Sequence, residues 1–63
     1  MNNSRHITTF NNLKRKVEVR FNYEWEEYQC FLFLSGNLHN DSTYFTNDKD
    51  DALLTAKEMV KFL

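Results

Sequence analysis

The alternation of apolar and polar residues predicts two neighbouring strands in the first half of the chain. In residues 16–23 every second side chain is apolar or aromatic, which is typical of a strand with one buried face. Residues 28–34 form the second predicted strand, which ends at the turn signal Ser35-Gly36-Asn37. This strand is apolar on both faces, so if Cys30 and its even-numbered neighbours enter the core, Phe31 and Phe33 lie on the far face and need a separate cover.

The second half of the chain predicts a third strand followed by a helix. Residues 43–46 form the short strand, with Phe45 expected in the core and Tyr44 on the far face, and a one-residue register slip would exchange the two sets. Residues 48–63 have the spacing of an amphipathic helix, and carboxylates at its start favour an N-terminus through the helix dipole. The predicted apolar stripe contains Ala52, Leu53, Ala56, Val60 and Leu63, and it is widened by Leu54, Met59 and Phe62.

Residues 1–13 are predicted to be a flexible N-terminal arm. They are polar apart from Ile7, Phe10 and Leu13, whose spacing of three would place them on one side of a helical turn. The predicted fold is therefore α+β: a small three-stranded antiparallel β-meander with one C-terminal helix packed on one face. Its organisation is an arm of residues 1–13 and a single β-β-β-α domain of residues 14–63.

Length and composition limit the classes of function. A core in a chain of 63 residues supplies only about 3–5 kcal/mol of net stability. Cys30 is the sole cysteine, so no disulfide forms within the chain, and His6, Cys30 and His39 are too isolated for a zinc site. Neither a catalytic constellation nor a glycine-rich phosphate loop is present. We expect a protein that is not an enzyme and that carries no catalytic, metal or cofactor site.

Charge is distributed unevenly along the chain. Residues 1–20 carry five basic side chains and one carboxylate, a net +4, whereas residues 21–63 carry three basic side chains and eight carboxylates, a net −5. The basic residues Lys14, Arg15, Lys16 and Arg20 are candidate nucleic-acid contacts. Tyr44-Phe45-Thr46 followed by a helix that begins near Asp48 resembles the layout of the DNA-binding domains at the start of tyrosine recombinases. The helix from Asp51-Ala52 to Leu63 resembles the last helix of double-stranded RNA-binding domains. Those RNA-binding domains place lysines at the helix start, where this chain has aspartates that repel phosphate.

Acidic and aromatic residues favour a protein partner instead. The candidate acidic contacts are Glu24, Glu26, Glu27, Asp48, Asp50 and Asp51. Ten of the 63 residues are aromatic, and such side chains are enriched at interface cores. The candidate aromatic contacts are Trp25, Phe31, Phe33 and Tyr44. In size and charge the chain resembles small phage-encoded inhibitors, including anti-CRISPR proteins.

The leading hypothesis is a small protein-binding module, a phage or mobile-element accessory protein that inhibits or modulates a host or defence protein. Its contacts would be the aromatic sheet face and an acidic tip, the solvated turn expected between the first two strands, where Glu24, Glu26 and Glu27 surround Trp25. The alternative is a DNA-binding or transcription-modulating protein that uses Lys14–Lys16 and the sheet. Three covers for the far face stay open: the arm, a second copy in a homodimer, or the partner. No segment approaches the roughly 20 apolar residues of a membrane span, and we expect a cytoplasmic protein.

Overall fold

The computed structural model describes residues 3–61 and has an α+β fold. Four strands form one antiparallel sheet in the order β1-β2-β3-β4, and one C-terminal helix packs on a single face. The elements are β1 (Ser4–Asn12), β2 (Arg15–Asn22), β3 (Glu27–Leu34), β4 (Asn37–Thr46) and α1 (Lys49–Lys61). The predicted fold class and C-terminal helix are confirmed, whereas the prediction of three strands is wrong.

The additional strand, β1, forms from the segment predicted to be a flexible arm. It pairs with β2 from Ser4 to Asn12, with one register shift between His6 and Thr8 that makes Ile7 an extra residue. Residues three apart normally lie on opposite faces of a strand, and a bulge of one residue restores them to the same face. Ile7 and Phe10 therefore both pack against the core beneath the helix. Their spacing of three reflects a bulged strand and not a helical turn.

β2 and β3 form where the alternation predicts them, and they pair without interruption from Arg15↔Leu34 to Asn22↔Glu27. Ser35 and Gly36 connect β3 to β4 with φ angles of 52° and 86°. Positive φ at both central residues is the signature of a type I′ hairpin turn, which suits the twist of the flanking strands. The sequence signal at Ser35-Gly36 therefore marks the turn correctly.

β4 is longer than predicted, and its two aromatic residues face the opposite way from the prediction. Tyr44 pairs with Cys30, so it lies on the helix side of the sheet, while Phe45 pairs with Gln29 on the other side. Residues 40–43 all lie opposite Phe31, because the register shifts between Cys30↔Tyr44 and Leu32↔His39. A shift of register exchanges the two faces of a strand, which is why the predicted placements of Tyr44 and Phe45 are wrong.

The core lies between α1 and the two central strands. Its buried residues are Val17, Val19, Cys30, Leu32, Ala52, Ala56 and Val60. The helix begins after Asp48, whose Oδ1 accepts hydrogen bonds from the backbone N–H groups of Asp50 and Asp51 at 2.9 and 3.3 Å, an N-cap. Leu54 is 65% exposed, so its predicted place in the apolar stripe is wrong. The predicted stripe residues Phe62 and Leu63 lie outside the described residues.

Cys30 packs as a small apolar residue whose thiol lies close to the helix backbone. Its Sγ donates to the carbonyl oxygen of Ala52 at 3.4 Å, and burial, with a smaller effect from the Asp51 carboxylate, raises the pKa of the thiol to about 11. The folded protein therefore favours the protonated thiol. The raised pKa of the thiol contributes fully to the free energy of unfolding below the ordinary pKa near 9. This contribution is lost as the pH rises from about 9 to about 11.

The raised pKa of the thiol predicts that the free energy of unfolding depends more steeply on pH in the wild-type chain than in a Cys30→Ala variant. Between pH 8 and about 10.5 the free energy of unfolding of the wild type should fall by about 1–2 kcal/mol more than that of the variant. Because Cys30 also contributes to the raised pKa of Tyr44, the comparison reports the thiol together with its effect on Tyr44. Urea unfolding followed by circular dichroism at several pH values measures the difference, and parallel pH profiles would contradict it.

Candidate interaction surface

The sheet face opposite α1, here called the open face, has no covering element among residues 3–61. All four strands contribute to it, and α1 packs only on the other side. Because paired residues of antiparallel strands share a face, the register places the following side chains there: Lys16, Glu18, Arg20, Gln29, Phe31, Phe33, Leu38 and Phe45. The N-terminal segment is not the cover for Phe31 and Phe33, because it extends the sheet sideways as β1.

The apolar part of the open face follows β3 and β4. The predicted contacts Phe31 and Phe33 lie on this face but are half-buried, and the Nζ of Lys16 lies 4.5 Å from the centre of the Phe33 ring. The more exposed members are Phe45, at 53%, and Leu38, which pairs with Phe33. Sequence reasoning missed both of these residues, since Phe45 was expected in the core and Leu38 lies outside the predicted strands. Only the register of β4 against β3 identifies them.

Trp25 lies in the turn between β2 and β3 with 70% of its surface exposed. The Oδ1 of Asn22 accepts hydrogen bonds from the backbone N–H groups of Glu24 and Trp25 at 2.9 and 3.0 Å, and this arrangement fixes the start of the turn. Glu26 completes the turn with a φ of 51°. The turn is therefore defined by local hydrogen bonds that hold the backbone of an exposed indole in one position.

The acidic end of the molecule combines this turn with the start of the helix. Tyr28 pairs with Thr46, so the β2–β3 turn and the β4–α1 connection meet at one end of the sheet. All six predicted acidic contacts are at this end: Glu24, Glu26, Glu27, Asp48, Asp50 and Asp51. A depression of about 560 Å³, here called the tip depression, lies between the two segments and is lined by Trp25, Glu26, Glu27, Phe45, Thr46 and Asn47.

Three of the six carboxylates accept hydrogen bonds: Asp48 and Asp51 at the helix start, and Glu27, whose Oε2 accepts from the Nε2 of Gln29 at 3.5 Å. Asp48 caps the helix, as described above, and Asp51 accepts a hydrogen bond of 2.7 Å from the hydroxyl of Tyr44. That bond raises the pKa of Tyr44 and lowers the pKa of Asp51. Tyr44 therefore ties β4 to α1 and lies on the helix side of the sheet, not on the far face where the sequence placed it. Glu26 and Glu27 line the tip depression beside Trp25.

The predicted nucleic-acid contacts do not form one surface. Lys14 lies in the β1–β2 turn, and Arg15 lies on the helix side, where its Nη1 donates to the carbonyl oxygen of Met59 at 3.2 Å. Lys16 and Arg20 lie on the open face on either side of Glu18, at 3.7 and 3.5 Å from its carboxylate oxygens. The positive charge predicted from the sequence is thus divided between two faces and partly neutralised.

Neither a metal-ligand cluster nor a membrane-spanning helix is found among residues 3–61. Within residues 3–61, no three histidine, cysteine, aspartate or glutamate side chains come together in a group suited to a metal ion. The helix of the described part of the chain is too short and too polar to cross a membrane. Comparison of the chain with family models, with curated proteins and with solved structures finds no match.

Proposed function

We propose that this protein is a small non-enzymatic binding module, a phage or mobile-element accessory protein that inhibits or modulates a host or defence protein. The observation that carries the proposal is the tip depression, where an exposed tryptophan and an exposed phenylalanine lie beside two carboxylates at the edge of an uncovered sheet face. Tryptophan is among the residues most enriched at the energetic centres of protein interfaces. Phe45 continues this surface onto the open face.

The charges of the acidic end favour a partner with a basic surface. Six carboxylates gather there, so a positive patch on another protein would be attracted and a phosphate backbone repelled. Host proteins that bind nucleic acid present such patches. The acidic end of this protein, bound to such a patch, would compete with the nucleic acid for it. The same charges, together with the division of the basic residues between two faces, favour this proposal over direct DNA binding through Lys14–Lys16.

The test compares the wild-type chain with Trp25→Ala and a matched control, Leu54→Ala. Trp25 and Leu54 are similarly exposed, but Leu54 lies on the outer side of α1, away from the tip depression. Each chain is immobilised and exposed to a lysate of the cells in which the protein is naturally made, and retained proteins are quantified by mass spectrometry. We expect one protein retained in stoichiometric amount by the wild type and by Leu54→Ala, and reduced at least about tenfold by Trp25→Ala, the loss of about 1.4 kcal/mol or more expected of an interface anchor.

Binding of the purified partner provides the second measurement. Its association rate should fall as salt increases, since the acidic end steers the encounter. The proposal would be rejected by a lysate that yields no stoichiometric protein, or by equal retention on all three chains. Retention of DNA that depends on Lys14 would instead support the alternative function.

A further inference from the structure

The β1–β2 turn carries an apolar side chain in an unfavourable position. Leu13 has a φ of 56° and is 89% exposed, the largest exposed fraction among the large apolar side chains described. Left-handed backbone conformations are uncommon for residues other than glycine and asparagine, and an isolated apolar side chain gains nothing from exposure to water. Lys14 follows at once, so the turn presents a leucine and a positive charge together.

The opposite end of the same molecule has the complementary chemistry. The turn precedes β2 and the tip depression follows it, so the eight residues of β2 hold the two features about 26 Å apart. The depression offers the aromatic surfaces of Trp25 and Phe45 to an apolar side chain, and Glu26 and Glu27 to a cation. A single copy cannot bring its own turn into its own depression, because the rigid strand separates them.

We propose that the Leu13–Lys14 turn of one copy docks into the tip depression of a second copy. Leu13 packs against Trp25 and Phe45, and Lys14 pairs with Glu26 or Glu27. The contact is heterologous, since each copy uses one end as donor and the other as acceptor, and it therefore builds chains of copies and not a closed dimer. The contact is small, so association is weak and salt-dependent. It occupies the same depression as the proposed partner, and self-association would therefore compete with partner binding.

The experiment uses the purified chain alone, so its outcome is independent of any host partner. Two variants each disable one half of the contact: Leu13→Gly removes the apolar side chain and suits the positive φ, and Trp25→Ala removes the aromatic wall of the depression. Leu54→Ala is the control, because its exposed leucine lies on α1. Mass is measured by sedimentation equilibrium at concentrations up to about 1 mM, the range of weak specific contacts.

We expect the average mass of the wild type and of Leu54→Ala to rise with concentration beyond that of a dimer. Each disabled variant should remain a monomer, with association weakened at least about tenfold. An equimolar mixture of Leu13→Gly and Trp25→Ala should form a dimer that does not grow further, because only one intact turn and one intact depression remain. A monomeric wild type overturns the proposal, and so does a dimer that persists in both variants, the result expected if the open faces pair through Phe31 and Phe33.

Discussion

An Ala56→Asp variant is expected to be unfolded at 25 °C in the absence of denaturant. Ala56 is fully buried, and the side chains of its cluster are apolar: Val17, Val19, Cys30 and Leu32 of the sheet, with further residues of α1. A carboxylate at this position would lose its hydration without gaining a partner, at a cost of about 3–5 kcal/mol or more. That cost equals the whole net stability of about 3–5 kcal/mol expected for a core of this size.

The matched control for this variant is Leu54→Asp, two residues away on the same helix. Position 54 is exposed, so the aspartate stays hydrated and the expected change in the free energy of unfolding is within about 0.5–1 kcal/mol. Far-ultraviolet circular dichroism and urea titration of both variants measure the difference. A cooperative urea transition for Ala56→Asp near that of the wild type would show that α1 does not pack on the sheet at this position.

The elements that the sequence predicts correctly are those whose pattern is uninterrupted. β2 alternates strictly from Val17 to Phe21, and it pairs with β3 without a register shift. In α1 the buried residues Ala52, Ala56 and Val60 recur at intervals of four, as a helix with one buried side requires. For such segments the periodicity along the chain is enough to identify the element and its buried face.

Register shifts limit prediction for β1 and β4. In β1 the extra residue at Ile7 converts an alternating pattern into a spacing of three, which is the spacing of a helical turn. In β4 the four residues opposite Phe31 conceal the continuity of a ten-residue strand, and they exchange the faces expected for Tyr44 and Phe45. The bulges depend on contacts with the neighbouring strand, so local sequence does not reveal them.

The candidate site was predictable only where its residues are adjacent in the sequence. Trp25 and the surrounding glutamates lie in one short turn, which the sequence predicts as a solvated tip. Their proximity to Phe45 and Asn47 depends on the pairing of Tyr28 with Thr46, 18 residues further along the chain. Arg15 shows that residues adjacent in sequence can also be separated by the fold. It lies between Lys14 and Lys16 in the sequence, but it donates to the carbonyl oxygen of Met59 near the end of α1.

A chain of residues 14–63, which the sequence predicts to be a single β-β-β-α domain, is expected not to fold cooperatively. The truncation removes β1, which exposes the outer edge of β2 and takes Ile7 and Phe10 from the core. The lost burial lowers the free energy of unfolding by about 1–2 kcal/mol for each of these partly buried side chains. It also removes the hydrogen bond of 3.1 Å from the Nδ2 of Asn12 to the carbonyl oxygen of Val60. Together these losses approach the total stability of about 3–5 kcal/mol. Thermal unfolding followed by circular dichroism, with solution mass at the same concentration, measures the outcome.

Two further chains separate the contribution of β1 from that of chain length. A chain that begins at Asn3 keeps every residue of β1 and should unfold cooperatively within about 0.5 kcal/mol of the full chain. The full-length Phe10→Ala variant should fold but lose about 1–2 kcal/mol, because Phe10 is only half-buried against the core. If residues 14–63 alone gave the cooperative transition of the full chain, β1 would be a dispensable arm. Val17 and Val19 would then be buried by α1 and the neighbouring strands without a contribution from β1.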